Sequence, residues 1–243
     1  GGIFALVAAS LRRLGAGWAA VAAGLLLTAL ASYERILLRP EMFAYLILAA
    51  ELFVLIGGPM TRLRIAALVV LQLLLVNLHS YFLLGLGLTG AFAADDFLRR
   101  LWARLKQNEA GKSLFSILWL VLGLQLAVCF VNPWTWRLAV MPIQTLLFMR
   151  TYHIASGAMT ETGHPWAIIG EFFSPFAPGV FEIARASTAY VVLLVLAGAG
   201  GLCAAWRRRW SHVLVIAAMT ATSLTMRRNI APAAVLIVPL ALP

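Results

Sequence analysis

Residues 65–94 read IAALVVLQLLLVNLHSYFLLGLGLTGAFAA, thirty residues without a formal charge. A membrane-spanning helix needs roughly 20 apolar residues, so the run is long for one span and short for two. The placement of basic residues arbitrates. If the run is a hairpin turning at Asn77-Leu78-His79-Ser80, one side of the membrane holds Arg12, Arg13, Arg62, Arg64, Arg99, Arg100, Arg104, Lys106, Lys112 and Arg207 to Arg209. The other side holds Arg35, Arg39, Arg137, Arg150, Arg185, Arg227 and Arg228, a division of twelve against seven. A single span divides them nine against ten. Cytoplasmic loops carry an excess of Lys and Arg, so the charge bias selects the hairpin. Its two helices are short and are expected to tilt or to extend into flanking polar residues.

The rest of the chain agrees with a membrane setting. Of 243 residues, 63% are hydrophobic and only 12% charged, about half the charged share of a soluble domain. Disorder is excluded as well, since it requires low hydrophobicity and high charge. The net charge of +10 is scattered among long apolar runs. It therefore reads as a topology signal and not as a nucleic-acid surface. Further spans fall at 15–33, 42–61, 113–136, 186–206 and 210–226. Runs at 3–10 and 230–242 read as the tail of an earlier span and the start of a later one. The expectation is an all-α, polytopic transmembrane helical bundle of about nine membrane segments, the first and last truncated. It forms a single transmembrane domain over 1–243, a fragment of a longer protein.

Two segments stand outside the spans. In the cytoplasmic segment 95–112, Phe97, Leu98, Leu101, Trp102 and Leu105 share one helical face. Arg99, Arg100, Arg104 and Lys106 fall mainly on the rest. That pattern suits a helix lying in the membrane interface, or an extension of the preceding span. Trp206 and Trp210 bracket Arg207-Arg208-Arg209 as an interfacial anchor. On the outer side, 132–185 is the one long segment. Residues 138–149 are expected to form a helix along the membrane, and 151–178 a Gly-, Pro- and Ser-rich loop of a length that is often functional.

Several motifs have plain readings. Gly85-Leu86-Gly87-Leu88-Thr89-Gly90 matches GxGxxG. A dinucleotide site needs a preceding strand and a βαβ unit, whereas small residues in a membrane helix allow close packing. Cys129 and Cys203 sit in apolar runs as small hydrophobes. No zinc spacing, Walker loop or GxSxG elbow is present. The sequence thus requires no cofactor, and a divalent metal is left open. Four histidines are dispersed, with His212 interfacial beside the Arg run. Glu51 lies inside a span, where an acid is a functional hypothesis by default or a hydrogen-bond partner of a neighbouring helix.

The informative feature is what the outer turns carry. These are Tyr33-Glu34-Arg35, Arg39-Pro40-Glu41, Asn77-Leu78-His79-Ser80, Asn132-Pro133-Trp134-Thr135-Trp136-Arg137, Gly170-Glu171-Phe172-Phe173-Ser174-Pro175 and Arg227-Arg228-Asn229. The positive-inside bias disfavours arginine here, yet several remain. Arginine forks bind phosphate bidentately, so the set suggests a site for an anionic lipid headgroup. Snorkelling anchors are the competing reading.

Taken in order, Arg39-Pro40-Glu41, Val76 to Gly85, Val131 to Arg137, Gly170 to Pro175 and Arg228-Asn229-Ile230-Ala231-Pro232 resemble a group of bacterial membrane proteins. These are related to GT-C glycosyltransferases of the mannosyltransferase and aminoarabinose-transferase kind. The resemblance implies transfer of a sugar from a polyprenyl-phosphate donor on the periplasmic face of the inner membrane. It also implies a catalytic acid in a first outer loop upstream of these residues. Within this chain it points to Arg39, Arg137, Arg227 and Arg228 for the lipid phosphate. Glu41, Asn77, His79, Asn132, Glu171 and Asn229 would form the polar sugar subsite, with Glu171 a weak candidate base. The uncharged hairpin and its neighbours would hold the polyprenyl tail. A transporter or lipid flippase, with Glu51 as coupling acid, is the second class. A non-enzymatic membrane scaffold is the third.

Overall fold

The computed structural model describes residues 1–36, 40–107, 113–152, 169–177 and 184–243. Among these there are ten α-helices and no strand. They are α1 (Gly2–Arg13), α2 (Trp18–Ala31), α3 (Glu41–Leu55), α4 (Arg62–Leu78), α5 (Phe82–Gln107), α6 (Ile117–Val128), α7 (Trp136–Thr151), α8 (Ala184–Trp206), α9 (Trp210–Thr225) and α10 (Ile230–Ala241). Single 3-10 turns lie at Tyr33–Arg35, Gly170–Phe172 and Arg227–Asn229. The fold is all-α, as the hydropathy requires.

The uncharged run 65–94 breaks between Leu78 and Phe82 into α4 and α5. His79 adopts an extended backbone that cannot continue α4, and its amide closes the helix on the Leu75 carbonyl at 2.9 Å. At the other end α4 is capped by Thr61, whose hydroxyl accepts from the Arg64 amide, the usual device for an orphaned first-turn N–H. Residues 95–107 continue α5 without a break, so the amphipathic segment begins as an extension of the preceding helix. Residues 108–112 lie outside the described set.

Helix α10 organises the bundle. Every residue from Ile230 to Leu240 is buried, and the helix packs against α1, α2, α3, α8 and α9. An apolar helix with no polar face must be enclosed on all sides. Small residues let the neighbours close in. A Cβ on Gly24 of α2 would meet Val238 and Leu242 at 2.9 Å, and one on Gly200 of α8 would collide with the backbone of Ala241. The run 230–242, expected as the start of a later span, lies at the hub of the fold.

Length separates the helices. At about 1.5 Å per residue, the 23 residues of α8 reach roughly 34 Å. Among the described residues, α8 is the one helix long and apolar enough to cross a membrane by itself. Helices α2, α6 and α9 are apolar but shorter, and none of the three reaches the roughly 30 Å of a hydrocarbon core.

Polar groups gather at the two ends of the bundle. One end brings together Tyr33–Arg35, the start of α3, the α4–α5 break, Gly170–Phe172 and Arg227–Asn229. The opposite end holds Arg13, which donates to the Phe53 carbonyl. It also holds Arg64, which donates to the Gly57 carbonyl, and Asp95, which accepts from Arg99 and Ser211 at 2.8 and 2.7 Å. The Asp95–Ser211 bond ties α5 to α9. Burial alone would raise the Asp95 carboxyl, but the bonds from Arg99 and Ser211 outweigh it and hold its pKa below the ordinary value.

Candidate functional site

The convergent polar cluster is built on Arg35. The 3-10 turn after α2 points its guanidinium inward, leaving the residue 6% exposed. A charge buried this deeply needs partners, and it has two. Nη2 lies 2.7 Å from Glu41 Oε2 at the first turn of α3, and Nη1 lies 2.6 Å from Glu171 Oε1 on the 169–177 segment. Burial alone would lower the Arg35 pKa. The Glu171 hydrogen bond and the Glu41 charge reverse that, and the group is held above its ordinary value. The arginine therefore fastens a loop to a helix start across 136 residues of sequence.

Glu41 is shared further. Tyr45, one turn along α3, donates its hydroxyl to Glu41 Oε2 at 3.1 Å. His79 Nε2 stands 3.9 Å from Glu41 Oε1. His79 Nδ1 accepts from the Tyr81 amide at 3.2 Å, which leaves the ring proton on Nε2, facing the carboxylate. Burial pushes the His79 pKa below its ordinary value. Glu41 pulls it back, and Arg228 and Arg35 add to the lowering. The imidazole is neutral at pH 7, a donor toward Glu41 and anything bound beside it.

The third wall is Arg227–Asn229, the turn that opens α10. Arg227 closes an ion pair with Glu34, and its amide donates to the Phe173 carbonyl at 2.8 Å, so the same loop is pinned twice. Arg228 behaves differently. Its guanidinium carbon lies 5.5 Å from both the Tyr81 and Phe172 ring centroids, a cation–π arrangement, and it forms no ion pair among the described residues. Tyr81 donates to the Arg228 carbonyl at 3.1 Å, while Asn229 Nδ2 donates back to Thr222 O at 3.0 Å. Three arginines and three glutamates thus meet here. Two arginines are committed to carboxylates, and one is held by aromatic rings.

The structure brings together six of the expected residues: Glu41, His79, Glu171, Arg227, Arg228 and Asn229. Others lie apart. Arg137 is exposed at the start of α7 beside Trp136. Asn132 shapes its own turn, accepting from the Trp134 amide at 2.8 Å and donating to the Cys129 carbonyl at 2.7 Å. Asn77 bonds Leu73 O and Val131 O, tying the end of α4 to the end of α6. Arg39 lies outside the described residues, as do His153 and His164. Arg35, Glu34, Tyr45 and Tyr81 belong to the cluster but stood outside the expected site set. The signal for the first two was the adjacent Glu-Arg pair closing an uncharged run. Tyr45 and Tyr81 carried no signal beyond their place beside Glu41 and His79.

An apolar groove of about 310 Å³ runs between α5 and α9. It begins at Leu83 and Leu84, just past Tyr81, and passes Gly87, Gly90 and Ala91 against Leu214 and Ala218. Two glycines of the GxGxxG match therefore leave space along a helix face. The third, Gly85, has another part. A Cβ there would meet Gln72 Oε1 at 2.5 Å and Glu51 Oε2 at 2.7 Å.

That contact marks a second polar group, deep between α3, α4, α5 and α6. Glu51, Gln72 and Gln125 are fully buried. Gln72 Nε2 donates to Phe82 O at 3.1 Å and to Cys129 Sγ at 3.2 Å, and Gln125 Nε2 donates to Leu68 O at 3.3 Å. The oxygens of Glu51, Gln72 and Gln125 find no donor. A carboxyl enclosed this deeply with neither a cation nor a donor beside it is costly to carry as a lone charge. Among the described residues no group of three His, Cys, Asp or Glu side chains is placed to hold a metal ion. In comparisons with known proteins, no family model, curated protein or solved structure matches the chain.

Proposed function

We propose that this chain is part of a membrane-embedded, GT-C-like glycosyltransferase that uses a polyprenyl-phosphate-linked sugar on the extracytoplasmic face of a bacterial inner membrane. The observation that carries this reading is the meeting of Arg228, His79 and Asn229 with the Arg35–Glu41–Glu171 ion pairs, in a cluster whose Tyr81 stands two residues before Leu83 of the apolar α5–α9 groove. A lipid-linked donor needs an anion site beside an apolar channel, and this arrangement supplies both. Arg228 is the phosphate ligand, since among the described residues it is the arginine of the cluster that forms no ion pair. Departure of a phosphate builds negative charge, and a preoriented guanidinium stabilises it. Arg35 is the positioning residue that holds Glu41 and Glu171 toward sugar hydroxyls, and Arg227 pins the loop that carries Glu171 through its amide bond to Phe173 O. The groove takes the first isoprene units.

The membrane reading also rests on the outer surface of the bundle. Leu202 and Val195 of α8 are 76% and 68% exposed, and large apolar side chains stand exposed on nearly every helix. Soluble monomers rarely present continuous apolar patches of this kind. The polar cluster faces the periplasm in the orientation that places Arg12, Arg13, Arg64, Arg99 and Arg207 to Arg209 in the cytoplasm. A scaffold would leave the outer polar residues dispersed, and their convergence weighs against it.

The test is binding of a short-chain polyprenyl phosphate to the protein in nanodiscs, with the corresponding polyprenol as control. The phosphate form binds at least tenfold tighter, and Arg228→Gln removes most of that margin. Equal binding of phosphate and alcohol would end the proposal. A transporter is the second reading, favoured by the unpartnered oxygens around Glu51. It predicts substrate movement across sealed vesicles that Glu51→Gln abolishes.

A further inference from the structure

At the opposite end of the bundle, α5 and the turn between α8 and α9 enclose a groove of about 770 Å³. Its floor is apolar: Leu98, Leu101, Ala103 and Leu105 line it. Its rim is cationic. Lys106 Nζ and the Arg208 guanidinium each lie 4.1 Å from the ring centroid of Trp102, and Arg207 and Trp210 complete the edge. Among the described residues, Lys106, Arg207 and Arg208 form no ion pair. Arg99, also on the rim, is already neutralised by Asp95 at 2.8 Å.

Arg208 is the telling residue. Its backbone sits at φ 55°, the left-handed region that an L residue other than glycine, asparagine or aspartate rarely occupies. The turn that forces this is short. Arg207 N bonds Cys203 O, Arg208 N bonds Ala205 O and Arg209 N bonds Ala204 O. Glycine is the residue such a position ordinarily takes, yet an arginine stands there with its side chain laid on Trp102. Two like charges against one indole repel each other, and an anion between them relieves the repulsion. An apolar floor under a cationic rim is complementary to a molecule with a phosphodiester head and acyl chains.

We infer that this groove is a binding site for one anionic phospholipid of the cytoplasmic leaflet. The phosphodiester lies against Lys106, Arg207 and Arg208, and an acyl chain lies over Leu98, Leu101 and Leu105. The inference rests on the membrane placement proposed above and is independent of glycosyl transfer. It differs from a general basic anchor because the cations are held in fixed register by Trp102 and by a strained turn.

The experiment measures phospholipid retention on the purified protein by native mass spectrometry, with no turnover required. Phosphatidylglycerol is compared with phosphatidylcholine of the same chains. Each cation near an anionic headgroup contributes about fivefold in binding. The wild type therefore prefers phosphatidylglycerol by well over tenfold, and Lys106→Gln or Arg208→Gly each removes about fivefold. Arg208→Gly is informative because it relaxes the backbone and so keeps the fold. The variant is at least as stable as the wild type while losing selectivity. Equal retention of the two lipids by the wild type overturns the site. So does full selectivity in Arg208→Gly, or complete displacement of phosphatidylglycerol by inorganic phosphate, which would mark a free-anion site. Loss of polyprenyl-phosphate binding with this selectivity intact would strike the glycosyltransferase reading alone.

Discussion

Replacing Arg35 by methionine keeps an unbranched apolar stem and removes the charge. Two carboxylates then lose their cation, with side-chain exposures of 15% for Glu41 and 33% for Glu171. Removing one partner of a buried pair costs about 3–5 kcal/mol. Glu171 is partly solvated, so the lower bound applies, roughly 3 kcal/mol. For a chain of this size each kcal/mol shifts the midpoint by about 2–4 °C, which gives a drop of roughly 6–12 °C. The loss depends on pH. Arg35 helps hold His79 below its ordinary pKa of 6.5, so without it His79 accepts a proton more readily and replaces the missing cation beside Glu41. The destabilisation is therefore larger at pH 8 than at pH 5.5. Glu41→Gln in the same chain removes the orphaned charge and recovers a large part of the stability. The assay is thermal unfolding in a mild detergent, followed by tryptophan fluorescence at both pH values. A shift below about 2 °C, or no rescue by Glu41→Gln, would refute the reasoning.

The other predictions are brief. In the wild type, His79 has a folded pKa below the unfolded one, so the unfolded chain binds more protons and stability falls as pH drops through and below 6.5. His79→Gln flattens that part of the stability profile measured by chemical denaturation. Gly85→Ala drives a methyl into Gln72 and Glu51, and overpacking of this kind costs about 1–3 kcal/mol, whereas Gly87→Ala, with open space at its Cβ, changes the midpoint little. Ser211→Ala deletes the 2.7 Å bond to Asp95 and lowers stability by about 1.5 kcal/mol, read as earlier amide exchange where α5 meets α9. Glu51→Gln keeps the side chain's size and removes no bond, so it leaves the midpoint nearly unchanged, while Glu51→Lys prevents recovery of folded protein from detergent.

Much of this architecture was legible from charge and hydropathy. The hairpin in 65–94 followed from the basic residues, and the break falls at the polar Asn77-Leu78-His79-Ser80 that interrupts the apolar run. The turns carrying Glu41, His79, Glu171 and Arg227-Arg228-Asn229 were also visible, because polar residues at apolar helix ends are conspicuous. Which turns meet was not legible. Arg137 and Arg228 look alike in sequence, yet one stands on an exposed helix start and the other lies between two aromatic rings. Nor did composition distinguish arginines committed to carboxylates from one that is not, since Arg35 and Glu171 are paired only by tertiary packing. The central place of helix α10 was not legible for a similar reason. A short apolar run reads the same at the rim of a bundle and at its centre.

The centre of this bundle is also its latest piece to leave the ribosome among the described helices. Helices α1, α2, α3, α8 and α9 pack in part on one another, but the surface they share with α10 stays open until Ile230 to Leu240 arrives. Up to that moment the seam at Gly200 has no partner, and the one at Gly24 has only Leu11. The Arg227–Asn229 turn enters with the same segment, so the third wall of the polar cluster is added in the same step as the core. Nascent chains stalled before residue 227 should hold their earlier helices without a finished cluster. Synthesis order thus delays the assembly of the polar cluster until the bundle has its axis.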